Sequence, residues 1–292
     1  MERLFGNDLH AKRVLSLANG VAGVLQAAAL SVHAIGTAYA KLNRSTPKHG
    51  VKQVDRMLSN PGLVIEELTR LWCQFVVGES REQIVIALDW TDFDDDDHTT
   101  LCAYLVTRHG RATPLSWKTI LKSELKGRRT ATEHGMVEQL HDWLPKETEV
   151  VLLADRGFGD QKLYGLLEFL GWDYVIRFRG NIVVESAEGV AKRADEWVPP
   201  NGRARKLDGA RVTQDRALVP SVVLVKKAKM KEAWCLATTL REETASEIVA
   251  FYGRRFTIEE TFRDQKDLHF GLGLRATHMR IPLIVITQIA PS

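Results

Sequence analysis

The chain has 292 residues, 45% of them hydrophobic, with 40 Lys/Arg against 37 Asp/Glu for a net charge of +3. That length and apolar content exclude a disordered or fibrous chain and provide for a sizeable core in two or three structural units. So small a net charge carries no argument for a nucleic-acid partner by itself, and three scattered cysteines (Cys73, Cys102, Cys235) exclude a disulfide framework and fit a reduced, cytoplasmic compartment.

Residues 1–80 read as helical. The apolar stretch from Val14 to Leu42 is interrupted by Asn19, Gln26, Ser31 and His33, so it reads as a pair of packed helices and not as a membrane span or signal segment. KQVDRML follows, and then, after Pro61 and Gly62, the amphipathic LVIEELTRLWCQFVVG. Charge is uneven along the chain. Residues 1–62 hold 8 Lys/Arg against 3 Asp/Glu, residues 63–176 hold 12 against 20, and residues 177–231 hold 13 against 6. Basic outer units around an acidic middle suit a metal-dependent centre flanked by surfaces for a polyanion, although solubility alone also produces such blocks.

From residue 83 the order changes. Ile84 to Leu88 is an unbroken apolar run ending on Asp89, followed by a hairpin of LCAYLVT and TPLSWKTIL turning at His109 and Gly110. A helix over Glu133 to Leu144 leads to a second apolar run, Val150 to Ala154, ending on Asp155. A helix from Gln161 to Leu170 and a strand from Tyr174 to Phe178 follow. Both apolar runs read as buried strands that deliver an aspartate at the C-terminal end, where open α/β sheets bind ligands. Asp92, Asp94 to Asp97 and His98 lie past the first strand in a polar stretch and read as solvated loop. Asp160 reads as a helix cap, and Arg156 as either a site residue or a cap. This order predicts an α/β fold with a ribonuclease-H-like core.

Between residues 179 and 232 short β-rich runs, NIVVES and SVVLVKK, alternate with Pro, Gly and Arg, as in PPNGRARK. They predict an inserted β-rich basic domain. The strand-like AWCLAT and a helix from about Glu247 to Asp267 then complete the core. In FYGRRFTIEETFRDQKD, Tyr252, Arg255, Glu259 and Lys266 share an arc of roughly 60° on one continuous helix, beside the apolar Phe251, Ile258 and Phe262. Glu260 falls well away from that edge. Asp89, Asp155 and Glu259 then supply three carboxylates that repel one another unless cations neutralise them, and oxygen-only ligands suit magnesium or manganese. The chemistry natural to such a cluster is two-metal phosphoryl transfer.

The Tyr252, Arg255, Glu259, Lys266 spacing resembles the Y-R-E-K signature of the bacterial insertion-sequence family four transposases, and ALDWTDF and LLADRGF resemble the segments around that family's two aspartates. The resemblance runs from KQVDRML to FGLGLR and is nearest to the group related to transposon ten. It implies a cut-and-paste DNA transposase with Asp89, Asp155 and Glu259 as its catalytic, metal-holding triad and two Mg²⁺ ions, for which Mn²⁺ substitutes. Tyr252, Arg255 and Lys266 would grip DNA phosphates, and Trp234 would stack on a flipped base. The helical N-terminal region would bind the terminal inverted repeats, with Lys48, Lys52 and Arg56 as candidate phosphate contacts. Homodimers on double-stranded DNA, at both element ends and target, are expected, without a membrane. The implied organisation is 1–80 DNA-binding, 81–178 core, 179–232 insertion and 233–292 core with the Glu helix. Members of this family continue well past that helix, whereas this sequence turns after Arg280 to IPLIVITQIAPS, which suggests a frameshift or truncation. Two other readings follow: a non-catalytic, end-binding remnant that inhibits transposition, and a nuclease of the same fold.

Overall fold

A computed structural model of the chain describes residues 1–78, 83–93, 97–213, 216–269 and 271–276. The helical start contains α1 (Glu2–Phe5), α2 (Ala11–Ala27), α3 (Val32–Leu42), α4 (Pro47–Leu58) and α5 (Ile65–Val77). The expected pair in the apolar stretch is α2 and α3, bent by 101° to one another, and no single described helix is long and apolar enough to cross a membrane. Helices α3 and α4 cross at two glycines. A Cβ on Gly50 would stand 2.0 Å from the Gly36 carbonyl oxygen, so the approach depends on the missing side chains. Thr46 caps α4 and Pro47 occupies its first turn, which sets where the helix begins. Lys48, Lys52 and Arg56 recur every fourth residue of α4 and are all exposed.

The centre is one ten-stranded mixed sheet: β1 (Ile84–Thr91), β2 (His98–Val106), β3 (Ala112–Leu121), β4 (Val150–Ala154), β5 (Asp173–Phe178), β6 (Val183–Glu185), β7 (Ala191–Arg193), β8 (Arg205–Val212), β9 (Ala217–Val225) and β10 (Trp234–Thr238), in the order β3-β2-β1-β4-β5-β10-β9-β8-β6-β7. Strands β1, β2 and β3 form an antiparallel meander, and β4 and β5 run parallel to β1. That mixed α/β arrangement is consistent with a ribonuclease-H-like transposase domain. The hairpin turns where expected, with Gly110 supplying a φ of +76°. Residues 179–232 add strands to this same sheet: β10 pairs β5 on one side and β9 on the other.

Period-two alternation gives the sheet two apolar faces. Ile84, Ile86 and Leu88 pack on one face with α5, with α7 (Arg129–Trp143) through Met136, Val137 and Leu140, and with α8 (Gln161–Phe169) through Leu163 and Leu167. The short α6 (Lys122–Leu125) precedes α7. Val85 and Ala87 pack on the other face with α9 (Ala245–Gly253) and α10 (Phe256–Lys266), through Ile248, Val249, Tyr252, Ile258 and Phe262. A backbone bond from Leu30 N–H to the Leu272 carbonyl, 3.0 Å, ties the helical start to the segment after α10. Residues 277–292, on which the expected truncation falls, lie outside the described residues.

The single helix predicted over Glu247–Asp267 is two. Arg254, Arg255, Thr257 and Ile258 each donate to the carbonyl three residues back, so the backbone tightens between α9 and α10. The periodicity of the side chains runs through this break, which is why it is invisible in the pattern. Arg255 lies at the break and is drawn inward by two carboxylates.

Candidate functional site

Asp89 and Asp155 stand on neighbouring parallel strands one residue past a register pair, Leu88 with Ala154. Both continue the alternation of the face covered by α9 and α10. Each is oriented by a local backbone donor: Trp90 N–H to Asp89 Oδ1 at 2.9 Å, and Gly157 N–H to Asp155 Oδ1 at 2.7 Å. Asp89 Oδ2 accepts from Arg255 Nη1 at 2.9 Å, and Arg255 Nη2 donates to Glu259 Oε1 at 2.6 Å. The sheet and α10 thus link Asp89 to Glu259 through Arg255, with Asp155 following the neighbouring strand.

The direct three-carboxylate contact implied by the sequence is absent. Among the described residues no three acidic, His or Cys groups are close enough together to hold a metal ion. The Arg255 guanidinium stands between Asp89 and Glu259 and bonds both. Its side chain is only 8% exposed, so a residue expected to reach toward DNA is a buried counter-ion here. Burial pushes the Asp89 carboxyl up to about 6; Arg255 opposes that shift and the nearby Asp155 adds to it. Arg255 therefore does not offset the cost of burying Asp89. The two aspartates, oriented by backbone donors on neighbouring strands, form an oxygen-only donor set of the kind that fits a hard divalent cation.

The remaining predicted residues take different positions. Tyr252 is fully buried, and burial raises its hydroxyl pKa. Its ring meets Trp234 edge-on at 5.0 Å, and Phe256 stacks on Trp234 at 5.9 Å. Trp234 is half-buried, so one aromatic cluster braces the start of β10 against the α9–α10 break. Lys266 donates to Thr91 Oγ1 at 2.6 Å beside the rings of Phe93 and Phe262, and burial lowers its pKa. Asp160 caps α8, accepting from Lys162 N–H. Asp92 pairs with Lys122 at 3.1 Å, Asp97 accepts from Ser123 Oγ at 2.6 Å, and Asp94 to Asp96 lie outside the described residues. Glu260 pairs with Arg263 and takes no part. Lys48, Lys52 and Arg56 belong to the helical start and make no contact with the carboxylates.

Sequence reasoning left Arg156 open between a site residue and a cap, and passed over its partners Arg177 and Glu232 as well as Glu133. Arg156, directly after Asp155, and Arg177 both bind Glu232, at 2.6 and 2.9 Å. They border an open cleft of about 640 Å³ that is also lined by Arg179, Lys226 and Lys231, where residues 179–232 meet the core. The clustered basic residues of that segment were the available signal. On the opposite face of the sheet, Glu133 of α7 is 4% exposed and accepts from Trp90 Nε1 at 2.7 Å and Arg129 Nε at 2.9 Å. Nothing in the sequence distinguishes this acid from a solvated helix residue.

A comparison with curated proteins finds no match. Among solved structures the chain is similar to an Argonaute from Marinitoga piezophila, determined with guide RNA and target DNA, at 12% identity and a TM-score of 0.25. That likeness covers 72% of this chain and 30% of the Argonaute, and carries no weight in the assignment. The family model described as "Transposase DDE domain" matches residues 113–282, a stretch that includes Asp155 and Glu259 and begins after Asp89. The match takes in more than half of the sequence, and the chain belongs to the transposase DDE domain family.

Proposed function

We propose that this chain is the transposase of an insertion sequence, cutting and joining DNA strands at the element's terminal inverted repeats in cut-and-paste transposition. The observation that carries this reading is the placing of Asp89 in β1 and Asp155 directly after the neighbouring β4, each one residue past the Leu88–Ala154 pair, with Glu259 linked to Asp89 through Arg255. The family assignment supplies the reaction class.

In this reading Asp89, Asp155 and Glu259 hold two divalent cations, Mg²⁺ or in its place Mn²⁺. What the cations supply when bound is polarisation of the scissile phosphate and a more acidic attacking water or 3′-hydroxyl. The protein contributes placement. The backbone N–H groups of Trp90 and Gly157 fix the two aspartates, and Arg255 keeps Glu259 in register with Asp89. Lys266, anchored on Thr91, and the cations lining the cleft beside Asp155 attract the phosphodiester backbone. Arg255 and the Tyr252 hydroxyl contact DNA only after their present packing gives way. Trp234, braced by Tyr252 and Phe256, offers an aromatic surface for an unstacked base, an interaction worth about 1–3 kcal/mol.

The exposed row Lys48, Lys52 and Arg56 serves the terminal repeat through phosphate contacts, residues 1–80 acting as the recognition region. Residues 179–232 act as the inserted β-rich platform, and residues 81–178 and 233–292 as the two parts of the core. Two element ends must meet, so the active form is a homodimer on DNA. The test is Mg²⁺-dependent nicking of a duplex carrying the element's own terminal repeat, with Glu259→Ala as control. Cleavage lost in the variant supports the transposase. Specific binding without cleavage in Mg²⁺ or Mn²⁺ replaces it with an end-binding remnant, and cleavage without joining replaces it with a nuclease.

A further inference from the structure

Arg129 is the first residue of α7, and it is held on two sides. Its Nε donates to Glu133 Oε1 at 2.9 Å, the same oxygen that accepts the Trp90 indole N–H at 2.7 Å. Its guanidinium lies over the Trp90 ring, with Cζ 5.3 Å from the centroid. Trp90 directly follows Asp89, so the indole's position is set by the strand that delivers the first aspartate. The other end of Arg129 lies near Gly157, two residues past the second aspartate. A Cβ placed on Gly157 would be 3.0 Å from Asp155 Oδ1 and 3.3 Å from Arg129 Nη2, so both groups border the same glycine.

An ordinary surface i,i+4 pair leaves both partners solvated and contributes a few tenths of a kcal/mol. This pair differs because its acid is buried. Burying a carboxylate costs stability unless it is well bonded, and here the bonding fixes one edge and one face of a guanidinium. The other edge is open: the Arg129 side chain is 47% exposed, and neither Nη has a hydrogen-bond partner among the described residues. A planar guanidinium fork with a free edge matches two oxygens of a phosphate. Helix α7 adds to this preference, since its N-terminus has no side-chain cap and no acid in its first turn.

We propose that Arg129 binds a phosphodiester of the DNA strand lying against Asp155, and that Glu133 and Trp90 are positioning residues that aim it. This rests on the transposase reading, and makes Arg129 a substrate contact on the side of the aspartates opposite Arg255.

The experiment measures the affinity of the full chain for a labelled DNA duplex across a salt series, together with single-turnover nicking in Mg²⁺, for the wild type, Arg129→Ala, Arg129→Lys and Glu133→Gln. One lost phosphate contact makes the slope of log affinity against log salt shallower by about 0.9. Arg129→Ala is expected to show that change and to nick about tenfold more slowly. Arg129→Lys is expected to recover the slope without the rate, because an ammonium keeps the charge and lacks the fork. Glu133→Gln is expected to keep the slope and lose rate. If Arg129→Ala fails to fold, the contrast between Arg129→Lys and Glu133→Gln carries the same test. An unchanged slope and rate in every variant that folds overturns the proposal while a nicking wild type upholds the transposase reading. A wild type that binds without nicking overturns the transposase reading and still reports on Arg129 through the slope; a wild type that does not bind DNA overturns both.

Discussion

Two arginine–glutamate pairs with the same i,i+4 spacing flank the aspartates from opposite faces of the sheet, and their burial is reversed. In Arg255–Glu259 the arginine side chain is 8% exposed and the glutamate 47%; in Arg129–Glu133 the arginine is 47% exposed and the glutamate 6%. The difference comes from what lies opposite each pair. Arg255 faces Asp89 and is drawn in as a counter-charge for acids that crowd one another. Glu133 faces the Trp90 indole, which supplies a fixed donor and draws in the acid. Helical spacing sets which residues meet, and the strand across from them decides which member of the pair loses its water.

The comparison breaks most strongly at Arg255. Arg255→Ala removes the shared cation of Asp89 and Glu259, and breaking a buried pair from one side costs about 3–5 kcal/mol. Thermal unfolding in EDTA is expected to report that loss, with added Mn²⁺ raising the variant's melting temperature more than the wild type's, because the cation replaces the missing charge.

A smaller effect comes from pH. The Asp89 carboxyl stands at about 6 in the fold against an ordinary 3.8, so the folded protein holds a proton that the unfolded chain releases. Its contribution is fully present below about 3.8 and is lost as pH rises through about 6. The loss in the metal-free protein is about 3 kcal/mol at 1.36 kcal/mol per unit. Asp89→Asn is expected to flatten that part of the stability–pH curve, and a curve of unchanged shape would show that Arg255 already neutralises Asp89 in full.

The two strands that carry the candidate aspartates were legible because buried parallel strands are written as unbroken apolar runs. Ile84 to Leu88 and Val150 to Ala154 each end on an aspartate, and the structure pairs the two runs as neighbouring parallel strands. The Arg255–Glu259 pair was legible from its i,i+4 spacing. Three features were not. The break between α9 and α10 lacks a proline and preserves the apolar period, and arises from local i→i+3 bonding around a buried arginine. The merging of residues 179–232 into the core sheet depends on β5 pairing with β10, a contact between segments far apart in sequence. Glu133 sits in a helix with no strong apolar stripe, and its burial depends on an indole from another element.

That indole gives the smallest of the three effects and the sharpest separation of the two sides. Trp90→Phe keeps an aromatic ring beneath Arg129 and removes one donor from Glu133, which costs about 1–3 kcal/mol for an under-satisfied buried acid. The loss should be visible in thermal unfolding, like that of Arg255→Ala, but Mn²⁺ should leave it in place. Glu133 lies on the α7 face, bonded to Arg129, whereas Asp89 and Glu259 meet Arg255 on the α10 face. If Mn²⁺ restored Trp90→Phe as fully as Arg255→Ala, the two pairs would belong to one cation-binding cluster, and their opposite burial would be two views of a single charge balance. If it restores only Arg255→Ala, the α10 side holds the charge that divalent cations replace, and the α7 side holds an arginine in position for the DNA strand.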